Sequence, residues 1–542
     1  SEISNCYNVG DVVFGQTQGG IVGVISSNSE ISDCYNVGNV ASGDNYQGGI
    51  AGSLNESIIF NCYNMGGIPS GEAGGIAGYA SDGTIENCYY INSLFIGVNE
   101  NENCNDKSVM CNIDEMKQRD TFSGFDFETV WEMGEATYPL PVLQEFGTPE
   151  ISFEENKTEF AGGTGTAFEP YIIETKEHLN NVRNYPRSWF VLANDIEFNE
   201  RDFSEDGAFY NNGSFWIPIN FNGIFDGRGH TITGLKINVK SNAGLFGNVE
   251  NAKIENLGMI DSDIYMDESE SKYVGGIAGY IKNTAILKCY NTGNIFAKSS
   301  DKDNYVYVGG IAGNVYNSVI YDCYNTGSII TDERSYTNQR AGGIAGKVSI
   351  SEIKSCYNIG NIVTSLNANE TYVGIVGSHD TDSTIIDCYC WDKYNVKNQS
   401  KETIVNLCTL DSMMIKETYN GFDFGSTWTM GDKTYPFPVL KITGIPEFKN
   451  EENTVEFAGG NGTILNPYKI STKEHLNNIR NYPTACFEII ADIKFTESDF
   501  SKNGAFYNGG QGWEPIGSSA NPFLGIIFGK NHSISGVKIS MS

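Results

Sequence analysis

The chain has 542 residues and a formal net charge of −32. Nucleic acid and anionic membranes are excluded as expected partners, because so acidic a surface repels them. Glycine is frequent, with 62 residues, whereas Asp, Glu, Lys and Arg together make up only 19%, so we expect many turns and few long surface helices.

Thirteen cysteines are spread along the chain, too sparsely for a disulfide scaffold. Their spacing matches no CxxC pair and no Cys/His zinc cluster. No run of about 18 apolar residues suggests a membrane span. We therefore expect neither a structural zinc site nor membrane insertion in this segment.

The chain repeats itself with a period of 297 residues. The stretch GFDFETVWEMGEATYPLPVL (124–143) returns as GFDFGSTWTMGDKTYPFPVL (421–440), and such repeats predict tandem units of one fold. The predicted units and linkers are the C-terminal half of a unit at 1–147, a linker at 148–159, a complete unit at 160–443, a linker at 444–456 and the N-terminal part of a further unit at 457–542. Because both ends fall inside a unit, we expect a segment of a longer array.

A shorter repeat inside each unit alternates a CYN motif with a GGIAG motif. The CYN cysteines are Cys6, Cys34, Cys62, Cys88, Cys289, Cys323, Cys356 and Cys388. The central isoleucines of GGIAG and its variants are Ile21, Ile50, Ile76, Ile277, Ile311, Ile344 and Ile375. Each isoleucine precedes the next cysteine by 12 or 13 residues, while the return distance varies. One half of the repeat is therefore fixed in length, and the other half absorbs the insertions.

A repeat of 26 to 34 residues rich in Gly, Asn, Ile, Val and Tyr suits a β-solenoid coil better than a helical repeat. Pieces such as STIIDCY alternate apolar and polar residues, as strands do. We predict an all-β fold of tandem parallel β-helix units, with three short strands in each coil. Each strand would stack on its counterpart about 4.8 Å away, and the cysteines and isoleucines would form ladders in the core.

Each unit is predicted to open and close with a short capping helix. In IETKEHLNNVRNYP (173–186), Leu179 and Val182 have helical spacing, Thr175 is a candidate N-cap and Pro186 is a stop. A second helix is predicted in NIDEMKQRD and in TLDSMMIKET, ahead of a Trp-containing strand and a TYPxPVL segment. The prolines of that segment lack a backbone donor and are predicted to stop further strand stacking.

The recurring small residues receive structural interpretations. The cysteines are predicted to be free buried thiols, and Cys104–Cys111 and Cys388–Cys390 are the local pairs for which a disulfide stays open. The asparagine of CYN is predicted to stack as an amide ladder along the axis. The glycine four residues after each cysteine is predicted to occupy a turn with positive φ.

The order AGLFG (243–247) followed by serial GGIAG motifs resembles the GLUG motif of bacterial surface proteins. The stretch GTGTAFEPYIIETKEHLNNV is similar to an opening segment common in those proteins. The resemblance covers nearly all of the chain and implies secreted or wall-attached, often adhesin-like proteins built on a right-handed parallel β-helix. Similar modules occur as non-catalytic parts of immunoglobulin-A-cleaving metallopeptidases, whose HExxH zinc motif is absent from this sequence.

One stretch has the form of a catalytic turn. DGRGHTITG (226–234) contains a DGxG turn that also occurs in β-helical pectin-degrading enzymes, so Asp226 and His230 are candidates for acid–base chemistry. The corresponding stretch of the next unit is FGKNHSISG (528–536), where Phe528 replaces the aspartate. We therefore predict no catalytic residue here.

The insertions between CYNxG and the next GGIAG are predicted to line one edge of the solenoid. Their polar, Tyr-containing composition suits contacts with protein or glycan, although simple spacer loops are an equal alternative. The candidate binding residues are Asp301, Tyr305, Tyr307, Tyr336, Asn338, Arg340, Asn369 and Tyr372.

Two acidic segments, 261–271 and 299–305, could hold calcium through carboxylates. Neither matches a calcium-loop template, so solvated loops are favoured and no other cofactor is predicted.

These observations predict a non-enzymatic extracellular structural or adhesive protein, a segment of a bacterial surface stalk or fibre. A β-helical polysaccharide-acting enzyme and a non-catalytic accessory region of a secreted protease stay open as alternatives. The expected partners are neighbouring copies of the unit and a host protein or glycan.

Overall fold

A computed structural model describes the chain apart from a set of short segments. Those segments are 13–14, 41–45, 69–72, 92–96, 136–137, 150–155, 168, 269–271, 300–304, 332–337, 364–373, 392–402, 434, 447–452, 463–465, 484, 518–522, 524 and 541–542. The candidate residues Asp301, Tyr336, Asn369 and Tyr372 lie in these segments, outside the described residues.

The region 160–443 is a parallel β-helix, which confirms the predicted fold class. One ladder, here called the GIAG sheet, contains Ile219–Phe221, Phe246–Glu250, Ala278–Lys282, Ala312–Tyr316, Ala345–Ser349 and Val376–His379. A second ladder, here called the edge sheet, contains Lys272–Gly275, Tyr305–Gly309 and Asn338–Gly342. The strands within each ladder pair in parallel with their counterparts in the next coil.

Three further ladders complete the coils of this region. The first contains Tyr171–Ile173, Trp189–Leu192, Ile224–Asp226, Lys253–Glu255, Ala285–Leu287, Val319–Tyr321, Glu352–Lys354 and Thr384–Trp391, with Thr403–Cys408 paired to the last of these. The next contains Ile196–Glu197, Thr231–Thr233, Gly258–Ile260, Tyr290–Asn291, Tyr324–Asn325 and Tyr357–Asn358. The third contains Lys236–Val239, Asp263–Glu268, Asn294–Ser299, Ile329–Thr331 and Ile362–Val363.

The N-terminal region has the same architecture. Its parallel strands are Glu2–Ser4, Tyr7–Asn8, Gln18–Gly19, Val22–Ile25, Glu30–Ser32, Tyr35–Asn36, Gln47–Gly48, Ala51–Asn55, Ile58–Phe60, Tyr63–Asn64, Ala73–Gly74, Ala77–Ser81, Thr84–Glu86, Tyr89–Ile91, Val98–Glu102, Asn105–Asp106 and Val109–Cys111. The C-terminal region contributes Tyr468–Ile470, Cys486–Ile489, Ile493–Lys494, Ile526–Phe528 and Ile534–Ser535.

A coil contains up to five short strands, so the prediction of three was wrong. The chain bends sharply at single residues with positive φ, and each bend divides what the apolar–polar alternation presents as one strand. Asn283 (φ 49°) separates Ala278–Lys282 from Ala285–Leu287, and Lys288 (φ 51°) precedes Tyr290–Asn291. A single left-handed residue does not disturb the alternation of apolar and polar residues, so the sequence pattern does not reveal it.

The helices among the described residues are short. The α-helices are Ile113–Met116, Lys176–Asn181, Leu410–Met413 and Lys473–Asn478, and the 3₁₀-helices are Arg119–Thr121, Val182–Asn184, Glu200–Phe203, Asn211–Gly213, Lys416–Thr418, Ile479–Asn481, Glu497–Phe500 and Asn508–Gly510. The predicted N-cap is confirmed, because Thr175 Oγ1 accepts a hydrogen bond from the His178 amide at 3.2 Å. Leu179 and Val182 are buried against the first coils.

The structure places the repeated apolar residues in the core. Every CYN cysteine is buried except Cys6, which is exposed, and Ile21 is the half-buried member of its ladder. All thirteen thiols are free, so neither Cys104–Cys111 nor Cys388–Cys390 forms a disulfide. Each buried CYN thiol still donates to a backbone carbonyl, as where Cys323 Sγ donates to the Tyr321 carbonyl at 3.2 Å. Burial raises the pKa of the Cys323 thiol well above its usual value.

The glycine of CYNxG does not have positive φ, and that prediction was wrong. The left-handed residue is the one before the cysteine, such as Asp322 (φ 54°). The glycine is required by close packing between coils instead. A Cβ on Gly327 would lie 1.8 Å from the Gly293 carbonyl oxygen of the preceding coil, which no side chain can tolerate.

The asparagine of CYN forms the predicted amide ladder. Asn291 Nδ2 donates to Asn325 Oδ1 at 2.9 Å, and Asn325 Nδ2 donates to Asn358 Oδ1 at 2.9 Å. The tyrosines beside them stack as well, with Tyr324 and Tyr357 ring centroids 5.0 Å apart and 4° from parallel. These side chains therefore tie successive coils together outside the cysteine core.

The closing segment of each unit folds back over its tyrosine ladder. Trp428–Met430 and Pro438–Leu440 form an antiparallel hairpin, and the Trp428 ring lies 6.0 Å from Tyr357 and 6.1 Å from Tyr324. Phe422 contacts Tyr389 at the last coil, whereas the Ile442 carbonyl packs beside Gly229 at the opening coils. The chain thus runs back along the solenoid instead of continuing its axis.

Successive units consequently contact each other side to side. The regions 1–147, 160–443 and 457–542 are here called the first, second and third units. Trp189, in an opening coil of the second unit, packs against the first unit's cluster of Tyr35, Tyr63 and Tyr89, close to Gly67. At the next joint the corresponding residue is Cys486, and a cavity of about 280 Å³ lies there. It is lined by second-unit turns such as Thr326–Ser328 and by third-unit residues such as Tyr468. The exchange of tryptophan for cysteine makes the two joints different.

Candidate functional site

The GIAG sheet and the edge sheet meet at a tight corner on one side of the second unit. Glycine permits this close approach, because a Cβ on Gly313 would lie 2.3 Å from the Val274 amide nitrogen and one on Gly346 would lie 2.4 Å from that of Val308. Side chains that point outward from the two sheets are brought together at the corner. The result is a concave surface supported by backbone that is already paired along the axis.

A single outward-facing row runs along the GIAG sheet. Its members occupy equivalent positions in successive coils and are Asn248, Tyr280, Asn314, Lys347 and Ser378. The next residue of each of the three central strands faces inward and is buried, as Ile281, Val315 and Val348 are. The alternation of side chains in a strand therefore fixes which residues this surface presents.

Tyrosine rings connect the two sheets. The Tyr273 ring of the edge sheet lies 5.6 Å from Tyr280 of the GIAG sheet and 5.8 Å from Tyr307 of the next coil. Lys347 Nζ lies 5.6 Å from the centroid of the Tyr307 ring, within range of a cation–π interaction. The rings hold one another in place, which reduces the entropy lost when a ligand binds.

These residues enclose a surface groove of about 320 Å³, here called the Tyr–Asn groove. Its lining residues are Asn242, Asn248, Tyr273, Tyr280, Asn314, Tyr316, Lys347 and Ser349. The lining contains aromatic rings, amides, one hydroxyl-bearing serine and one ammonium group, and it contains no carboxylate. The groove lining therefore carries a positive charge in a chain whose formal net charge is −32.

One end of the groove is rigidly ordered by amides. Asn242 Nδ2 donates to Asn248 Oδ1 at 2.8 Å, and Asn248 Nδ2 donates to Asn220 Oδ1 at 2.9 Å. The Tyr273 amide donates to Asn242 Oδ1 at 3.0 Å. The backbone of the edge sheet is thereby fixed against the GIAG sheet at this end.

Asn314, at the centre of the row, has an unsatisfied acceptor. Its side chain is only 6% exposed, and Oδ1 has no hydrogen-bond partner among the described residues. A buried acceptor without a donor costs about 1–3 kcal/mol. Such a group marks a position where a donor from a ligand would restore the missing hydrogen bond.

Burial keeps Tyr280 of the groove and Tyr307 beside it protonated. Burial raises the pKa of Tyr280, and the nearby Glu250 carboxylate raises it further. Burial also raises the pKa of Tyr307, with smaller contributions from Tyr305 and Tyr273, while Arg340 opposes the shift. These phenols therefore act as neutral hydrogen-bonding groups with apolar ring faces.

The predicted edge residues that the structure describes lie beside this groove. Tyr305 is 39% exposed and stacks on Tyr307 with ring centroids 5.7 Å apart. Arg340 is half-buried and is the partner of Tyr307 in the next coil. Asn338 begins the last strand of the edge sheet. The edge is thus continuous with the groove through Tyr307 and Tyr273, but the residues that line the groove itself were not predicted.

The first unit carries different side chains at these positions. Its outward row contains Val24, Ser53, Tyr79 and Glu100, so valine and serine stand where the second unit has Asn314 and Lys347. Tyr79 donates instead to Glu102 at 2.8 Å. The inward isoleucines are shared between the units while the outward residues differ, which separates the scaffold from the surface it carries.

The DGRGH turn has a structural role in both copies. Asp226 Oδ1 accepts hydrogen bonds from the Arg228 amide at 2.8 Å and from Asn256 Nδ2 at 2.9 Å. His230 pairs with Asp195 at 3.2 Å, and the same aspartate accepts from the Thr231 amide. The third unit repeats this pair as His532 and Asp492. These carboxylates fix turns and strand ends.

Metal binding finds little support in the described part of the chain. No group of three or more His, Cys, Asp or Glu side chains suited to a metal ion occurs there. The two acidic segments proposed for calcium, 261–271 and 299–305, fall partly outside the described residues. Calcium binding therefore stays a prediction.

Comparison with known proteins confirms the GLUG resemblance. The GLUG motif family matches residues 304–330, which include Tyr305, Asn314 and Tyr316. A protein of Evansella cellulosilytica, provisionally named a Gly-rich membrane protein, is 39% identical over 105 residues. That match covers 19% of this chain and 11% of the relative, so the chain spans about a tenth of the relative's length. Among the described residues, no helix has the length and apolarity needed to cross a membrane.

Two solved structures overlap with part of the fold. One is a provisionally assigned immunoglobulin A1 protease from Bacteroides ovatus, with a TM-score of 0.40, 19% identity and coverage of 52% of this chain and 95% of that one. The other is an IgA1 protease with a TM-score of 0.31 and 17% identity, which covers 52% of this chain and 21% of that one.

Proposed function

We propose that this chain is a non-enzymatic region of a surface or secreted bacterial protein and that the Tyr–Asn groove is its binding face. The observation that carries this proposal is the lining of the Tyr–Asn groove in the second unit. It combines three ordered tyrosines with a buried, unsatisfied Asn314 acceptor on a backbone fixed by neighbouring coils. The GLUG motif at 304–330 supports the surface or secreted setting, in which an adhesive role is expected.

The structural role of the DGRGH turn supports the non-enzymatic part of the proposal. Asp226 is engaged by a backbone amide and a side-chain amide, and its counterpart in the third unit is Phe528. The solenoid units would act as a stiff support, in contact with neighbouring copies. The groove would act as the surface that retains the protein on a host protein or glycan.

The whole 542-residue chain, fluorescently labelled, should bind to a panel of intact epithelial cells and mucin-coated surfaces. The combined change Tyr280→Ala and Lys347→Ala is expected to weaken retention at least tenfold, because it removes one wall and the only ammonium group of the groove. Lys282→Ala is the matched control, since Lys282 faces outward from the same sheet but does not line the groove. Equal loss in the control, or retention unchanged in the double variant, would contradict the proposal.

A further inference from the structure

We infer that the ligand of the Tyr–Asn groove is an oligosaccharide. This inference rests on the proposed function and names the ligand class of the same site. It starts from Asn314, which lines the groove and whose buried Oδ1 lacks a donor among the described residues. A ligand that orders this amide can supply the missing donor, and sugar hydroxyls carry such donors at every ring.

The shape and chemistry of the walls favour sugar rings. Tyr273 and Tyr280 lie 28° from parallel with centroids 5.6 Å apart, and Tyr316 is 39% exposed. The electron-rich face of a tyrosine attracts the weakly positive C–H groups on the face of a pyranose ring, as it attracts other positive edges. The volume of about 320 Å³ is at the lower end of the range for small-ligand sites, roughly 300–1,000 Å³, and the groove is open so that a longer chain can extend beyond it.

The backbone around the groove argues against an extended peptide as the ligand. A peptide that adds to a sheet needs unpaired backbone groups at a strand edge. The central GIAG strand Ala312–Tyr316 is paired on both sides, with Ala278–Lys282 and with Ala345–Ser349. Only side chains are offered to a ligand here, and they are amides, phenols, a serine and a lysine. Hydroxyl groups, which donate and accept, complement this set.

Neutral and acidic sugars can be distinguished by Lys347. Its ammonium group lies beside the Tyr307 ring at the side of the groove, where it could contact a uronic or sialic acid carboxylate. An acidic sugar would therefore lose affinity when Lys347 is changed to Met and when salt is raised, whereas a neutral sugar would show little dependence on either. The shared chemistry of stacking and hydroxyl donation is the same in both cases.

The decisive variant is Asn314→Leu in the whole chain. Leucine has the same number of side-chain heavy atoms and the same branch at Cγ as asparagine, and it removes the unsatisfied acceptor, so the melting temperature is expected to stay the same or rise. Carbohydrate binding is expected to weaken at least tenfold. A substitution that harms the fold would lower both quantities, so the opposite directions distinguish a ligand-binding residue from a structural one.

The test is a carbohydrate panel on the whole chain, measured by microarray and then by calorimetry. The panel contains neutral chains (maltoheptaose, xylohexaose, a β-1,3-glucan) and acidic ones (polygalacturonate, hyaluronan, a sialylated lactosamine). The inference predicts that at least one binds, and that Asn314→Leu and Tyr280→Ala each weaken it tenfold or more while Lys282→Ala does not.

Carbohydrate binding that is unaffected by both groove variants would overturn the inference. If no carbohydrate binds but the groove variants still abolish retention on cells, the ligand class is wrong and the proposed function stands. If neither carbohydrates nor cells bind through the groove, both fail.

Discussion

Replacing Trp428 with alanine is expected to lower the free energy of unfolding of the second unit by about 3–5 kcal/mol. Trp428 is fully buried. It lies in the first strand of the closing hairpin, and its ring packs against the stacked rings of Tyr324 and Tyr357. The change removes an indole from the point where the closing segment is fixed to the solenoid. It also removes the Nε1 donor to Asp322 Oδ1, a hydrogen bond of 2.8 Å.

The Asp322 carboxylate would then lose a partner that stabilises its charge. Burial raises the pKa of Asp322 and the Trp428 hydrogen bond opposes that effect, so its loss raises the pKa further. Trp428→Phe keeps most of the packing and is expected to cost only about 1–2 kcal/mol. Urea unfolding followed by tryptophan fluorescence and proteolysis of the second unit would measure these changes.

The matched control is Trp131→Ala in the first unit. Trp131 is equally buried and donates to Asp33 at 2.9 Å, so its loss should destabilise the first unit and leave the second unchanged. If Trp428→Ala and the wild-type chain unfold with the same urea midpoint, the closing hairpin does not stabilise the coils.

The second large effect is expected at alkaline pH. The tyrosines of the covered ladder are buried, and burial raises the pKa of Tyr324 and of Tyr357 well above the usual value of about 10. Burial raises the pKa of Tyr419 and Tyr435 in the same direction. A group whose folded pKa is raised stabilises the fold fully below its unfolded pKa, and this stability is lost as the pH rises towards the folded value.

Four such phenols would remove about 5.6 kcal/mol of stability per pH unit above about pH 10, at roughly 1.4 kcal/mol for each. The buried thiols Cys323 and Cys356, whose pKa values are also raised by burial, begin to contribute near pH 9 for the same reason. We therefore expect a steep cooperative unfolding near pH 11, with tyrosinate absorbance and far-ultraviolet circular dichroism changing together.

Tyr324→Phe provides the control for the alkaline transition. Removing one titrating group should reduce the pH dependence of stability by about 1.4 kcal/mol per pH unit. If all tyrosines ionise near pH 10 without a change in circular dichroism, then the ladder is accessible to solvent and the closing segment does not cover it.

The scaffold could be predicted from sequence because its requirements are periodic. The GGIAG isoleucine and the CYN cysteine, such as Ile311 and Cys323, recur at fixed spacing because each stacks on its counterpart in the next coil. The part of the coil between them has a constant length. The helix capped by Thr175 has a local signature as well. The pattern did not reveal the direction that the chain takes after the last coil. TYPxPVL is interpreted as a strand stop, yet Pro438 begins the second strand of a hairpin that folds back along the tyrosine ladder.

The groove was missed for a related reason. The predicted binding loops are insertions of variable length, whereas the groove is built from residues whose identity varies at a fixed position. The residue directly after GGIAG and its variants is Tyr280, Asn314 or Lys347 in successive coils, and Val24 or Ser53 in the first unit. That position faces outward because the neighbouring residues face inward. Variation within an otherwise constant motif was the signal that could have located the groove.

The contact between the edge sheet and the GIAG sheet could not have been predicted from the sequence of these residues alone. Tyr273 and Tyr280 are seven positions apart and lie on different sheets, and they meet only because the chain turns at the Gly275–Gly276 corner. Asn314 gives no sign in the sequence that its acceptor lacks a partner. That property depends on which donors the neighbouring coils place nearby.

Amide hydrogen exchange on the whole chain tests the central claim, that binding occurs on the Tyr–Asn groove, most directly. Exchange would be measured for the free chain and for the chain bound to the surface that retains it. The account predicts slower exchange in peptides covering 242–250, 273–282, 305–316 and 340–349, with no change at 226–234. Protection centred on 226–234, or in the first unit alone, would contradict it.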